Sequence, residues 1–202
     1  VTGAAGGIGL ACARALVARA KQITITGRTK SNLQAVGSEL KKYRKAMVEV
    51  TMDNRRAVKD ADIIIAAANS SSSILNMDWF KPGAVICDLG YPKNISYTAT
   101  RKDIFVFSGG LATLPTPIDT GVDMGIPCSD VCYGCFCEVI VLALERRFEN
   151  FSYGRGNITL EKMDEIRKMG KRVPAKHIFF AIDWCFSGFA ATRDIKAESA
   201  TD

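Results

Sequence analysis

The segment CYGCFCE contains Cys132, Cys135 and Cys137, and Cys128 lies just upstream. Such a cluster suits a metal site, a disulfide, a nucleophile, or the packing of small apolar thiols. Zinc usually takes two Cys-x2–4-Cys units or a Cys/His set, and His177 is the only histidine in the sequence. The apolar pattern places most of these cysteines in one helix, from which four ligands converge poorly. We therefore expect no metal.

A disulfide is disfavoured by the same pattern, because Cys132 and Cys135 within one helix are poorly placed to bridge. A single nucleophilic cysteine fits a different chemistry. Its thiolate attacks an acyl thioester, and hydride from a nicotinamide reduces the enzyme-bound thioester to an aldehyde. A helix N-terminus favours the thiolate. Cys128 and Cys132 lie nearest the predicted N-terminus, and packing remains the alternative for each cysteine.

A glycine-rich turn, VTGAAGGIG, opens the sequence between a strand end and a helix predicted over 10–20. Gly3, Gly6 and Gly9 stand at three-residue spacing, which suits a tight turn and lets a pyrophosphate approach the backbone amides closely. The N-terminus of the following helix would then face the pyrophosphate. A tight turn without a ligand is the alternative. The residues predicted to bind a dinucleotide here are Gly3, Ala4, Ala5, Gly6, Gly7, Ile8 and Gly9.

The residues after the next predicted strand select the dinucleotide. NAD-binding sites usually place Asp or Glu there, to accept from the ribose 2′-OH. This sequence has Arg28, Thr29 and Lys30 instead. A guanidinium grips a 2′-phosphate in a bidentate manner, so NADPH is the predicted cofactor. Solvated charges after a strand are the alternative interpretation.

Predicted strands and helices alternate along the sequence, which indicates parallel βαβ units. The expected fold is α/β: a Rossmann-like, doubly wound, mostly parallel sheet with flanking helices and a C-terminal helical extension. The apolar run at 62–68 predicts a strand buried on both faces. The predicted strands are 22–27, 46–52, 62–68, 84–90 and 103–110, and the helices are 10–20, 31–45, 54–61, 129–151 and 159–170, with Ser31 and Ser129 or Asp130 as caps.

We expect a dinucleotide-binding domain at 1–128, ending in a long loop from 111, a helical extension at 129–191, and a polar tail at 192–202. The sequence begins inside a strand without methionine, so the natural chain is expected to continue upstream.

Ligands of a doubly wound sheet sit beyond the carboxyl ends of its strands. Besides Gly109-Gly110, that rule selects Asn69, Ser70, Gly90, Tyr91 and Lys93 as site candidates; a solvated loop and a structural turn are the alternatives.

The composition bounds the functional class. An apolar fraction of 48% supports a core, and a net charge of +6 permits an acidic partner without selecting one. We expect no nucleic-acid partner. The odd cysteine count and the lack of a leader pattern favour a reduced, cytoplasmic setting. The apolar run at 178–191 is interrupted by Asp183 and is too short to span a bilayer.

Several segments together resemble the long-chain acyl-(acyl-carrier-protein) reductase family of cyanobacteria. They are VTGAAGGIGLACARAL, DLGYPKNI, the later Gly-Gly pair, and CFCEVIVLALERRFENFSYGRGNITLEKMDEI. The resemblance runs from about residue 1 to 170, and the stretch 135–166 is its most specific part. It implies NADPH-dependent reduction of a fatty acyl thioester to a fatty aldehyde through a cysteine thioester.

By position, the resemblance places the acylated cysteine on Cys135, the NADPH fingerprint on Gly3, Gly6 and Gly9, and the phosphate-reading position on Arg28. Cys137 stands where the family has alanine, so it is expected to be an ordinary packed thiol. Lys93 or nearby amides are candidates to stabilise the oxyanion.

The resemblance also implies partners: acyl carrier protein or acyl-CoA as donor, and an enzyme that consumes the aldehyde. The aromatic stretch 176–194 permits peripheral membrane contact. The basic residues that would meet an acidic carrier, or form a solvated helix face, are Arg146, Arg147, Arg155, Lys168, Lys171 and Arg172. Two rival functions stay open: an NADP-dependent dehydrogenase without covalent catalysis, and a non-catalytic NADPH-binding module.

Overall fold

The structure is a computed structural model, and it describes residues 1–96, 101–114, 116–123, 125–126, 129–154, 156–172 and 179–180. Contacts divide the chain into two compact units. The first unit comprises 1–108 with 151–160, and the second comprises 109–150 with 161–202. Each unit is described by itself below.

The first unit alternates helices and strands, as the sequence predicts. Its elements are α1 (Gly7–Val17), β1 (Gln22–Thr26), α2 (Lys30–Lys41), β2 (Met47–Thr51), α3 (Asn54–Val58), β3 (Ile63–Ala66), a 3-10 turn (Met77–Trp79), β4 (Val85–Asp88) and β5 (Phe105–Ser108). The second unit contains β6 (Leu111–Thr113), β7 (Val131–Tyr133), α4 (Gly134–Leu144) and β8 (Phe179–Phe180), and α5 (Leu160–Arg172) begins at its border.

The strands of the first unit are parallel throughout its described part. β1 pairs with β2, and β3 pairs with β4, which pairs with β5. Residues 1–2 join the two groups: the Thr2 amide donates to the Ile65 carbonyl at 2.9 Å, and the Thr26 amide donates to the Val1 carbonyl at 2.9 Å. Counting that N-terminal segment as the first strand gives the order 3-2-1-4-5-6, which is the order of the Rossmann fold. The predicted fold class is confirmed.

Apolar side chains fill two clusters in this unit. One lies between α1, α2 and β1 and contains Val17, Ile25 and Leu40, all fully buried. The other surrounds β3 and β4 and includes Ile64 and Ile86. Each such side chain stabilises the fold by roughly 1.5–3 kcal/mol relative to an exposed one. These clusters fix the strands whose carboxyl ends carry the candidate site.

Two local predictions for the first unit are wrong. β3 is not buried on both faces, because Ile63 stands at its first position, at the rim of the sheet, and is 49% exposed. Helix α2 begins at Lys30, so its N-cap is Thr29 rather than Ser31, and the Thr29 side chain makes no capping hydrogen bond.

The long helix predicted over 129–151 is also wrong. Residues Val131–Tyr133 form a strand that pairs antiparallel with β6, inside the stretch predicted as loop, and α4 runs only from Gly134 to Leu144. Neither Ser129 nor Asp130 caps the helix, since its N-cap is Tyr133. Short apolar runs do not distinguish strand from helix, and here a pairing with a segment about twenty residues away decides the outcome.

Candidate active site

The glycine turn meets the steric demands of a dinucleotide site. Gly3 has φ +64°, and a Cβ there would lie 2.5 Å from the Ala67 carbonyl oxygen. A Cβ on Gly9 would lie 2.3 Å from the Gly3 carbonyl oxygen. Both distances are far below van der Waals contact, so only glycine fits. The first helical turn is thereby held against the end of the first strand, as close helix–strand packing in this motif requires.

The other residues of the turn differ in accessibility. Gly6 is the exposed N-cap of α1, and Ile8 is 50% exposed. Ala5 and Gly7 are half-buried. Ala4 is fully buried, and its amide donates to the Thr26 carbonyl at 3.0 Å, so that amide already belongs to the sheet. A helix leaves its first amides without intrahelical partners, and here they lie beside exposed backbone that suits a pyrophosphate.

Arg28, the residue predicted to read the 2′-phosphate, lies two residues after the end of β1. Arg28, Thr29 and Lys30 are all exposed, and α2 begins at Lys30. The carboxyl end of β1 neighbours the glycine turn, because Thr26 pairs with both Val1 and Ala4. The guanidinium therefore stands at the same edge of the sheet as the turn, where the adenosine half of a dinucleotide is expected.

Replacing Arg28 with alanine is expected to weaken NADPH binding by about 10–100-fold, because charged hydrogen bonds contribute about 1.5–3 kcal/mol. NADH has no 2′-phosphate, so its affinity should change little. Titrations of both nucleotides by fluorescence check this, with Arg19→Ala as the charge-matched control. Equal losses for the two nucleotides would show that Arg28 does not read the phosphate.

Asp88, at the end of β4, organises the loop of the DLGYPKN segment. Its buried carboxylate accepts from the amides of Gly90 at 2.9 Å, Asn94 at 2.8 Å and Ile95 at 3.1 Å. Three backbone donors satisfy a carboxylate that would otherwise be costly to bury. The loop is therefore a built structure and not a solvated connection.

Asn94 ties that loop to the strand beside the glycine turn. It is fully buried, its Oδ1 accepts from the Ala68 amide at 3.0 Å, and its Nδ2 donates to the Ala68 carbonyl at 2.8 Å. A Cβ on Gly90 would lie 1.9 Å from Asn94 Nδ2. Gly90 therefore has a structural role. Asp88 and Asn94 belong to the DLGYPKN stretch predicted at the carboxyl edge of the sheet, for which a structural turn was the alternative.

Replacing Asn94 with alanine is expected to lower the free energy of unfolding by about 1–3 kcal/mol, because it leaves the Ala68 amide and carbonyl unpaired. Urea denaturation followed by circular dichroism measures the change. Asn69→Ala is the matched control: Asn69 is exposed, and its loss should cost less than about 0.5 kcal/mol. Equal stability of the Asn94 variant and the wild type would contradict this role.

The remaining candidates on the sheet edge are more accessible. Tyr91 is 62% exposed, and Lys93 Nζ donates to the Asp88 carbonyl at 3.3 Å and stands 6.0 Å from the centre of the Tyr91 ring. Asn69 is exposed and Ser70 is half-buried, and Ser70 Oγ accepts from the Ser72 amide at 3.4 Å. All four follow β3 or β4 at the carboxyl edge of the parallel sheet, where ligands of this fold bind.

Burial separates the three described cysteines of the cluster in the second unit. Cys132 on β7 is 3% exposed and Cys137 in α4 is fully buried, whereas Cys135 is exposed. Desolvation raises the pKa of both Cys132 and Cys137, so both remain thiols at neutral pH. Cys137 is thus packed, as expected, and Cys128 lies outside the described residues. Cys135 is the accessible thiol of this set.

Cys135 occupies the first turn of α4, one residue after Gly134. The backbone amides of a first turn lack intrahelical partners and favour a negative charge such as a thiolate. Gly110, the second residue of the Gly-Gly pair, holds the start of α4. The Gly134 amide donates to the Gly110 carbonyl at 2.7 Å, and Gly110 has φ +72°. Gly110, predicted for the cofactor edge, thus anchors the helix that carries Cys135.

An apolar stripe continues from Cys135 along the exposed side of α4. Phe136 is 38% exposed, Val139 62% and Leu144 59%. Ala143 is also exposed, which completes a face at helical spacing from the first turn to the last. The accessible thiol therefore stands at one end of a stripe that would favour an aliphatic chain over a polar one.

Two of the basic residues predicted to meet a carrier protein are engaged in ion pairs. Arg147 contacts the carboxylates of Glu149 and Glu165, and Arg172 lies 3.1 Å from Glu145. These pairs connect the end of α4 to α5. Surface pairs contribute little energy, so an acidic partner would compete with them at modest cost. Arg155 lies outside the described residues.

Within the described ranges, no group of three or more His, Cys, Asp or Glu side chains is arranged to hold a metal ion. His177 lies outside those ranges, as does the aromatic stretch 176–194 apart from residues 179–180. None of the helices in the described part is long and apolar enough to cross a bilayer.

The parallel sheet and the glycine turn define a dinucleotide-binding domain of Rossmann type. Residues 3–94 match the model of the ornithine cyclodeaminase/mu-crystallin family. The chain is 30% identical over 179 residues to a long-chain acyl-[acyl-carrier-protein] reductase of Synechococcus elongatus, covering 85% of this chain and 50% of that protein. The predicted resemblance and the NADPH cofactor are confirmed.

Two further proteins show more distant similarity. The chain is 28% identical over 176 residues to aminotransferase PigE of Serratia sp., covering 85% of this chain and 20% of that protein. The nucleotide-binding domain of glutamyl-tRNA reductase from Thermoplasma volcanium is 24% identical, with a TM-score of 0.33, over 42% of this chain and 56% of that one. The chain spans half the length of the acyl-carrier-protein reductase and a fifth of the aminotransferase, so its activity, its substrate and the covalent step are proposals.

Proposed function

We propose that the protein reduces a fatty acyl thioester to a fatty aldehyde with NADPH, through an acyl group held on Cys135. The observation that carries this proposal is the state of the cysteine cluster. One thiol is exposed at a helix N-terminus and is followed by an apolar stripe, and the two thiols beside it are buried. The similarity to an acyl-[acyl-carrier-protein] reductase supports the same chemistry.

In the first half of the reaction the Cys135 thiolate attacks the carbonyl carbon of the thioester. The carbonyl oxygen becomes an oxyanion, and collapse of this adduct expels the thiol of the donor and leaves the acyl group on Cys135. The first-turn amides of α4 hold the thiolate before attack. The stripe of Phe136, Val139 and Leu144 accommodates the aliphatic chain, and its burial there releases water from both surfaces.

NADPH, when bound at the glycine turn, supplies the hydride that converts the acyl-enzyme to the aldehyde and restores the Cys135 thiolate. Gly3, Gly6 and Gly9 admit the pyrophosphate, and Arg28 binds the 2′-phosphate. Lys93 is proposed as the cation that stabilises the oxyanion. An ammonium has three donors, and the Asp88 carbonyl engages one of them.

The proposed donor is acyl carrier protein or acyl-CoA. Both present a thioester at the end of a flexible phosphopantetheine arm, and both carry negative charge that the net charge of +6 would attract. The aldehyde is apolar and reactive, so an aldehyde-consuming enzyme is proposed as the next partner.

The proposal is tested by mixing the protein with NADPH and a long-chain acyl-CoA or acyl carrier protein. NADPH oxidation and aldehyde formation are followed together, and we expect one aldehyde per NADPH. Cys135→Ser separates this function from its first rival, because a dehydrogenase without covalent catalysis would keep its activity in that variant. Binding of NADPH with no oxidation by either donor would favour the non-catalytic module.

A further inference from the structure

The observed start of α4 changes the relation between Cys132 and Cys135. The sequence pattern places both in one helix, where a bridge is unfavourable. In the structure Cys132 belongs to β7, paired opposite Ala112, and Cys135 lies in the first turn of the helix. The two cysteines therefore form a C-x-x-C pair across a strand–helix junction. That arrangement is typical of redox-active cysteines, and it removes the reason for dismissing a disulfide.

The connection between the two cysteines has little steric bulk. Tyr133 is extended, with φ −65° and ψ 139°, and Gly134, which follows it, has no side chain. The Cys137 thiol donates a hydrogen bond to Cys132 Sγ. Cys135, three residues after Cys132, is open to solvent.

We propose that oxidation of Cys135 by a peroxide leads to a reversible Cys132–Cys135 disulfide that withdraws the nucleophile from catalysis. The Cys135 thiolate first attacks the peroxide and the O–O bond breaks. The departing oxygen takes a proton from solvent, which gives Cys135 sulfenic acid and water or an alcohol. Cys132 Sγ then attacks Cys135 Sγ, the S–O bond breaks, and the Cys132 proton leaves with the hydroxyl as water. Two thiols lose two electrons and the peroxide gains them. A dithiol reductant reverses the bond by thiol–disulfide exchange.

Cys132 is the resolving partner and Cys137 is not. Side chains two residues apart on a helix point roughly 200° apart, so Cys135 and Cys137 cannot bridge without unwinding α4. Cys132 lies three residues before Cys135, beyond the helix start, and so escapes this constraint. Burial also raises the pKa of Cys137 strongly, which disfavours the thiolate needed for attack. Burial raises the pKa of Cys132 as well, but the hydrogen bond from Cys137 opposes that rise.

The test uses the reduced protein, dilute hydrogen peroxide, and no acyl substrate, so its outcome is independent of the proposed reductase activity. The oxidised protein is alkylated and digested with chymotrypsin. Cleavage after Tyr133 separates Cys132 from Cys135, and cleavage after Phe136 separates Cys135 from Cys137. A disulfide therefore joins two peptides, and tandem mass spectrometry identifies its members, including the choice between Cys128 and Cys132, which share one peptide.

We expect a Cys132–Cys135 link in the wild-type protein that dithiothreitol removes, with the same link in Cys137→Ala. In Cys132→Ala the link should be absent, and dimedone should label Cys135 as a sulfenic acid. Because Cys132 is buried, its replacement could unfold the protein, so circular dichroism must show that this variant is folded. The peptide map of the wild-type protein decides the result without the variant. A link to Cys137, or peroxide oxidation of the wild-type Cys135 with no disulfide, would overturn the proposal.

Discussion

Aldehyde production is expected to fall by about 1,000-fold or more when Cys135 is replaced by serine, because the hydroxyl is a far weaker nucleophile at neutral pH than a thiolate at a helix N-terminus. NADPH affinity should be unchanged, since Cys135 takes no part in the glycine turn. Stopped aliquots analysed for aldehyde, together with NADPH titrations, measure both quantities.

The matched control for that variant is Cys137→Ala. Cys137 is buried two residues further along the same helix, and its loss should cost stability but leave most of the aldehyde production. If the Cys135 and Cys137 variants lost activity equally, both effects would come from damage to α4. Full activity in Cys135→Ser would show that the hydride acceptor is never attached to this residue.

Replacing Gly9 with alanine is expected to abolish measurable NADPH binding and to destabilise the first unit by more than about 2 kcal/mol. The added Cβ would lie 2.3 Å from the Gly3 carbonyl oxygen, and neither backbone can move without opening the turn. Displacing α1 would also displace the amides proposed to hold the pyrophosphate. Isothermal titration with NADPH and urea denaturation measure the two effects.

Gly7→Ala is the control for stability, since it adds a methyl group to the same helix. Its Cβ would meet only Ile158 Cδ1 at 3.7 Å, an ordinary contact, so stability should be unchanged or rise by up to about 1 kcal/mol. Wild-type stability in Gly9→Ala would contradict the close packing of α1 on the first strand.

The sequence was sufficient to predict the parallel sheet and the glycine turn. The signals there are local: continuous apolar runs give strands, and Gly3, Gly6 and Gly9 stand where strand meets helix. The start of α4 was not predictable in this way, because Val131–Tyr133 becomes a strand only through its pairing with β6. A non-local contact of this kind leaves the local apolar pattern unchanged.

The candidate site was predictable in kind but not in detail. The resemblance selected Cys135 by position, and the structure adds that Cys135 is exposed while Cys132 and Cys137 are buried. Gly90 packs closely against Asn94, whose structural importance arises from two hydrogen bonds to a residue 26 positions earlier, and the predicted role of Gly90 at the cofactor stays a prediction. Long-range hydrogen bonds to backbone groups depend on the folded chain path, which composition and spacing do not encode.

The most direct test of the central claim is the intact mass of the protein after incubation with a long-chain acyl-CoA or acyl carrier protein, without NADPH. We predict a gain equal to one acyl group, mapped by peptide analysis to Cys135, absent in Cys135→Ala, and discharged as aldehyde when NADPH is added. An acyl group mapped to another residue, or aldehyde formed at the wild-type rate by Cys135→Ala, would contradict the covalent mechanism.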